Sequence, residues 1–170
     1  MPAESRREFV EYATAHLPRL HRTAYLLCGD PHRADDIVQS ALTTLYVHWK
    51  RASAADNLDG YVHRIVVRRF LDELRRGWSK VLLRPDSPEQ AAPADERVET
   101  RDEVIAALRQ LPKGQRAVLV LRYFADLSVE ETAQALNCST GNVKSQSARG
   151  LATLRKIMSD AEPAHRPGRT

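Results

Sequence analysis

Two groups of side chains carry the chemistry this sequence can do, and neither is catalytic. The first is a run of arginines, Arg64, Arg68, Arg69, Arg75 and Arg76, opposed only by Asp72 and Glu73. Aromatic rings are interleaved with it: Trp49, Tyr61, His63, Phe70 and Trp78. Rings that stack bases, beside guanidiniums that hold phosphates, suit single-stranded nucleic acid. A charge run by itself is usually only a solvated helix face. Phe70 and Trp78 are expected in the core, and His63 could serve either the face or the interior. The second group is Ser139, Thr140, Asn142, Lys144, Ser145, Ser147 and Arg149. These short polar and basic residues suit base edges and phosphates.

Composition agrees with a polyanionic partner. The 170 residues carry a net charge of +4, and the pI is about 9.3. A basic balance favours nucleic acid or an anionic surface. No apolar run approaches the roughly 20 residues of a bilayer span, and "MPAESRREFVEY" has no apolar signal segment. A cytoplasmic protein is therefore expected. The six histidines and two cysteines show no metal-ligand spacing. There is no glycine-rich phosphate loop and no nucleophile-base pair. Asp35 with Asp36, and Asp72 with Glu73, are adjacent pairs on separate helices, a poor arrangement for nuclease chemistry. No enzyme, metal, cofactor or small-molecule substrate is expected. Cys28 and Cys138 sit beside apolar residues and read as small buried hydrophobes.

The elements that hold these groups read as helices throughout, since nothing alternates long enough for a half-buried strand. A first helix carries Phe9, Tyr12, Ala13, Leu17, Leu20, Ala24 and Leu27 at helical spacing. Pro18 should break or bend it. Asp30 and Pro31 open a second helix as N-cap and first residue. Its stripe runs Ile37, Ala41 and Leu45, then Trp49 or His48. "ASAADN" is a polar connection, and a third helix buries Val62, Ile65, Val66, Phe70 and Leu74. The character then changes. "SKVLLRPDSPEQAAPADERVET" holds three prolines and, past Arg84, mostly acids. A linker is expected, with the boundary inside about residues 79 to 97. Helix resumes at "TRDEVIAALRQL" and "PKGQRAVLVLRYFADL", and the end of the chain is polar and frayed. The fold class is all-α, two small bundles joined by a Pro-containing linker.

In "LSVEETAQALNCSTGNVKSQSARGLATLRK", Ser128 and Glu131 make an S-x-x-E capping box. Ala133 lies where two helices must cross closely. Asn137 suits a left-handed turn, Ser139 caps the next helix, and Val143 points back at the first. That spacing is a helix-turn-helix. The second helix has four bases, Lys144, Arg149, Arg155 and Lys156. The last two could hold phosphate or complement the helix dipole. A plain helical hairpin would explain the spacing but not the exposed face.

A helix-turn-helix alone also fits a free-standing operator-binding regulator, and an adaptor would not need the second helix. Two further blocks narrow the choice. "DDIVQSALTTLYVHW" followed by "DGYVHRIVVRRFLDELRR" resembles regions 2.1 to 2.4 of bacterial sigma factors. "LRQLPKGQRAVLVLRYFADLSVEETAQALNCSTGNVKSQSARGLATLRK" resembles their region 4. The chain is identified as a member of the extracytoplasmic-function (ECF, group IV) sigma factors of the sigma-70 family, similar to the sigma-E subfamily. The resemblance covers about residues 8 to 158. It implies a region 2 domain over 1–80, a linker over 81–97, a region 4 domain over 98–158 and a tail over 159–170. It also implies an alternative sigma factor that binds core RNA polymerase and promoter DNA, with no membrane partner.

Site residues follow from the same resemblance. Asp36, Val38, Gln39, Leu42 and Trp49 would dock on the coiled coil of the polymerase's largest subunit; an amphipathic helix with polar anchors fits such a partner. Ser40 stands where the family usually has an acid. Asn57, Asp59, Tyr61, His63, Arg64, Arg68, Arg69, Arg75 and Arg76 would bind and melt the -10 element, with Asn57 to Gly60 in the loop that captures an extruded base. Arg68 stands where the family commonly has Asn. Ser139, Thr140, Asn142, Lys144, Ser145, Ser147 and Arg149 would bind the -35 element as duplex. Part of the face around Leu119, Tyr123 and Phe124 would meet the polymerase flap, the rest being core. Asp86, Glu89, Asp95, Glu96 and Glu99 of the linker would mimic nucleic acid in a basic channel or be a solvated tether. Family members are often held by an anti-sigma factor clamped between the two domains.

Overall fold

The structure is a computed structural model that describes residues 1–81 and 101–161. The described residues form eight α-helices and one π-helical segment. The expected linker and its acids, and most of the tail, lie outside them.

Helix α1 (Ala3–Cys28) runs unbroken through Pro18. The proline withholds an N–H from the carbonyl of Thr14, at a cost of about 3 kcal/mol in a helix interior. The next turns bury Leu20, Ala24, Leu26 and Leu27, and full burial contributes about 1.5–3 kcal/mol for each leucine. Burial therefore outweighs the lost bond, and the expected break does not occur. Gly29 ends α1 at φ 72°, where its N–H reaches the Tyr25 carbonyl at 2.7 Å. Only a residue without Cβ adopts that conformation freely. Helix α2 (Pro31–Val47) starts as expected, with the Asp30 carboxylate accepting the Arg33 N–H at 2.9 Å. That bond holds the Asp30 carboxyl below its usual pKa.

The "ASAADN" connection is shorter than expected, because a one-turn helix α3 (Trp49–Ser53) occupies its start. Helix α4 (Leu58–Val81) follows. Asn57 caps it, its Oδ1 accepting the Gly60 N–H at 2.8 Å. Helices α1, α2 and α4 pack around Leu20, Leu27, Ile37, Leu45, Val62, Val66 and Phe70, with Trp49 of α3 closing one end.

After α5 (Arg101–Arg109) and α6 (Lys113–Leu119), the chain widens into a π-helical turn over Val120–Phe124. The Ala125 N–H reaches back five residues to the Val120 carbonyl at 3.0 Å. Arg122 Nη1 donates to the Leu127 carbonyl at 2.6 Å and fixes the exit toward α7 (Val129–Leu136). Helix α8 (Thr140–Ala161) completes the set. The two sets of helices pack on one another. Helix α7 packs on α4, while α5 and the π turn pack on α1, and the apolar core is continuous between them.

Candidate nucleic-acid interface

The helix-turn-helix forms from the residues that announced it. Ser128 Oγ accepts the Glu131 N–H at 3.0 Å, and Glu131 Oε2 accepts the Ser128 N–H at 2.8 Å. The second of these bonds, from the Ser128 N–H, and then the Asn57 side chain hold the Glu131 carboxyl below the ordinary range. Asn137 makes the turn at φ 53°. Val143 is fully buried against Val118 and Ala133, which sets the angle at which α8 leaves the body. Thr140, Asn142, Lys144, Ser145 and Arg149 are left exposed on one stretch of α8, and Ser147 is half-buried. Ser139 is exposed too, and its Oγ accepts the Asn142 N–H at 3.0 Å and caps α8. The α8 N-terminus, with its positive dipole end, and Lys144 and Arg149 meet no acidic side chain of α8 before Asp160.

The second candidate surface is on α4. Tyr61, Arg64, Ile65 and Arg68 line a cleft of about 520 Å3 with Thr44, His48 and Arg51. The Arg64 guanidinium lies 5.9 Å from the centre of the Tyr61 ring, a cation-π distance. His48 and Arg51 had not been expected there; the signal was the "HWKR" run, which turns the chain into α3. Arg69 is engaged, donating to Thr44 Oγ1 at 2.6 Å and pairing with Asp72 at 3.8 Å. Arg75 is exposed. The side chains of Arg76 and Trp78 lie outside the described residues.

Several expected contact residues are internal. His63 is 2% exposed, and its Nδ1 bonds the Asp59 carbonyl at 2.8 Å. Burial pushes its pKa below the usual histidine value. It belongs to the core, not the face, because α1 covers that side of α4. Asp59 is held by the Tyr12 hydroxyl at 2.8 Å, His16 at 3.5 Å and Arg19 at 3.8 Å, so its carboxylate positions α4 on α1. Val38 and Trp49, expected to meet polymerase, are buried at 2% and 4% exposure. Val38 is interior because α2 lies between α1 and α4 and buries both Ile37 and Val38. Trp49 packs edge-on against Phe9 and near Tyr12, at centroid distances of 5.5 and 5.8 Å. Asp36 and Gln39 are exposed and Leu42 is half-buried. Of the expected flap face, Leu119 is core, Phe124 is half-buried and Tyr123 is 52% exposed.

A helix-turn-helix and an arginine-aromatic cleft on one all-α chain define a DNA-binding protein of two parts. Comparison with known proteins identifies the family. Residues 12–80 match sigma-70 region 2 and residues 101–154 match sigma-70 region 4. The RNA polymerase sigma-E factor of Streptomyces coelicolor is 34% identical over 155 residues, covering 88% of this chain and 85% of that protein. The ECF RNA polymerase sigma factor SigM of Mycobacterium tuberculosis is 34% identical over 160 residues, covering 92% and 80%. The sigma factor RpoE of Bartonella quintana, solved in complex with the anti-sigma factor NepR, shares the fold. Its TM-score is 0.74 at 21% identity, over 92% of this chain and 99% of that one. The chain belongs to the sigma-70 family, among the ECF sigma factors, and is an alternative sigma factor that directs promoter-specific transcription. Sigma factors are not enzymes. Among the described residues no helix is long and apolar enough to cross a membrane.

Proposed function

We propose that the two surfaces divide promoter recognition between them. Helix α8 reads the -35 element as duplex through Thr140, Asn142, Lys144, Ser145, Ser147 and Arg149. The α4 cleft holds the -10 strand through Asn57, Tyr61, Arg64, Arg68, Arg69, Arg75 and Arg76. His48 and Arg51 join that set. Asp36, Gln39 and Leu42 of α2 dock on the coiled coil of core polymerase's largest subunit, and the exposed Tyr123 meets the flap. Residues 1–80 act as one domain and 98–158 as the other, with 81–97 as tether. The protein works in the cytoplasm beside polymerase, under an anti-sigma partner.

The observation that carries this reading is the pairing itself. One surface offers a dipole end and short polar groups for a groove. The other offers a cleft lined by a ring and three arginines for an unpaired strand. A free-standing regulator would need only the first. The test is transcription with purified core polymerase on a promoter library, with and without the chain. New start sites sharing two spaced motifs are expected. No new transcripts, together with tight operator binding by the chain alone, would make it a free-standing regulator.

A further inference from the structure

Two neighbouring arginines of α4 are placed differently. Arg68 is exposed and lines the cleft. Arg69 is half-buried and engaged with α2: its Nη2 donates to Thr44 Oγ1 at 2.6 Å, while Nη1 lies 3.8 Å from Asp72 Oδ2. Thr44 is itself part of the cleft wall. Its hydroxyl proton goes to the Ser40 carbonyl at 3.0 Å, so the oxygen accepts from Arg69 and donates back along α2. The chain of Ser40 carbonyl, Thr44 hydroxyl, Arg69 guanidinium and Asp72 carboxylate thus links α2 to α4 beside the cleft. We propose that Arg69 is a positioning residue for -10 recognition: it touches no phosphate, and it fixes the Thr44 wall against which the cleft selects one base of the strand. The inference deepens the reading of the α4 cleft as the -10 site and rests on it.

The chemistry of the cleft calls for such a wall. Arg51, Arg64 and Arg68 can hold phosphates whatever the base, and the Tyr61 ring can stack on any base. Neither kind of contact chooses. Selection falls to His48 and to the uncharged wall, Thr44 and Ile65. Ile65 is fixed by burial. Thr44 is only half-buried, so packing alone does not fix its side chain. In a helix threonine divides between two rotamers, because its hydroxyl can bond a carbonyl one turn back. Thr44 makes that bond, and a charged donor on the same oxygen favours the conformer further, since charge-assisted bonds are about twice as strong as neutral ones. Asp72 balances the Arg69 charge, which makes this guanidinium a poorer anchor for phosphate than Arg68. A lysine could not replace it, because a single ammonium does not offer the planar fork that reaches Thr44 and Asp72 together.

The test uses holoenzyme assembled from core polymerase and the full chain. The probe is a pool of short single strands of random sequence. Bound strands are sequenced, and the best of them is titrated by anisotropy over a range of salt. Thr44→Val keeps the side chain's shape and removes the bond. Arg69→Lys keeps the charge and loses the fork. Each should lower the preference for the favoured base at one position about tenfold, with the salt slope unchanged. The double variant should lose no more than either alone, since both break the same link. Native behaviour of Arg69→Lys, with a salt slope lowered by about 0.7 in Arg69→Ala, would make Arg69 a phosphate contact and overturn the proposal. Native preferences in Thr44→Val would overturn it too, as would a loss of affinity equal for every strand, the mark of a residue that only holds the fold. If Tyr61→Ala and Arg68→Ala leave strand binding unchanged, the cleft is not the -10 site, and that earlier reading fails instead. Thr44→Val exchanges one hydroxyl for a methyl, so it decides the matter even where an Arg69 variant loses its helices by circular dichroism.

Discussion

The hydroxyl of Tyr12 donates to Asp59 Oδ1 at 2.8 Å, tying the middle of α1 to the first turn of α4. Burial first, and then this carboxylate, push the phenol's pKa above its ordinary value. Tyr12→Phe keeps the ring beside Trp49 and removes only the bond. It should lower stability by about 1–2 kcal/mol, since one partner is an anion. A fall in the urea midpoint with an unchanged slope would show this. An unchanged midpoint would mean that His16 and Arg19 hold Asp59 without help.

His63 makes a prediction about pH. Its buried ring is neutral in the fold, with Nδ1–H donating to the Asp59 carbonyl and Nε2 facing no partner. Because the folded pKa is depressed, both states are neutral above about pH 6.5 and folding is not penalised. As pH falls below that value, the unfolded chain takes up a proton that the fold refuses. Stability must fall until the folded ring itself titrates. His63→Asn can keep the bond to Asp59 but cannot titrate. Denaturation between pH 7.5 and pH 5.5 should show a smaller loss in this variant than in the native chain. Equal losses would assign the pH dependence to other groups.

These two sites mark where sequence was a good guide and where it was not. Local chemistry was legible: Asp30, Ser128, Asn137 and Ser139 cap or turn their helices as their residue types require. The α8 face was legible because it projects from the body, so its exposure depends on no distant partner. On α4 and α2 the helical period located a stripe but not its width. Only the position of α1 decides that His63 and Val38 are internal and that Asp59 is tied down. The cleft residues His48 and Arg51 escaped notice because α3 breaks the period of α2. The π-helical turn was invisible for a related reason, since "LVLRYF" reads as continuous helix until its hydrogen bonds are known.

Two glycines of α8 should respond oppositely to alanine. A Cβ at Gly141 meets nothing nearer than Ser139 Oγ at 3.9 Å, so Gly141→Ala should gain up to about 1 kcal/mol of helix propensity. A Cβ at Gly150 would lie 3.1 Å from Cγ and Cδ1 of Leu119, which is 1% exposed. A neighbour that buried has to shift within packed surroundings, so overpacking of about 1–3 kcal/mol should exceed the propensity gain. Thermal unfolding should therefore rise for Gly141→Ala and fall for Gly150→Ala. A rise for both would show that α6 and α8 can move apart cheaply.

Lys144 and Arg149 of α8 should differ in what they do to DNA. Both are exposed and follow the capped turn that aims α8. If Lys144 neutralises a phosphate, Lys144→Ala weakens duplex binding equally for all sequences. It also lowers the slope of log affinity against log salt by about one. If Arg149 forks onto a guanine edge, Arg149→Ala costs about 1–3 kcal/mol on the cognate duplex and much less on a mismatched one, so discrimination falls with affinity. Titrations of holoenzyme on cognate and scrambled -35 duplexes over a range of salt separate the two effects. A Lys144→Ala slope equal to the native one would remove that lysine from the interface. An Arg149→Ala loss that is the same on both duplexes would make it a second phosphate contact, leaving Thr140, Asn142, Ser145 and Ser147 as the remaining side chains of this face able to read bases.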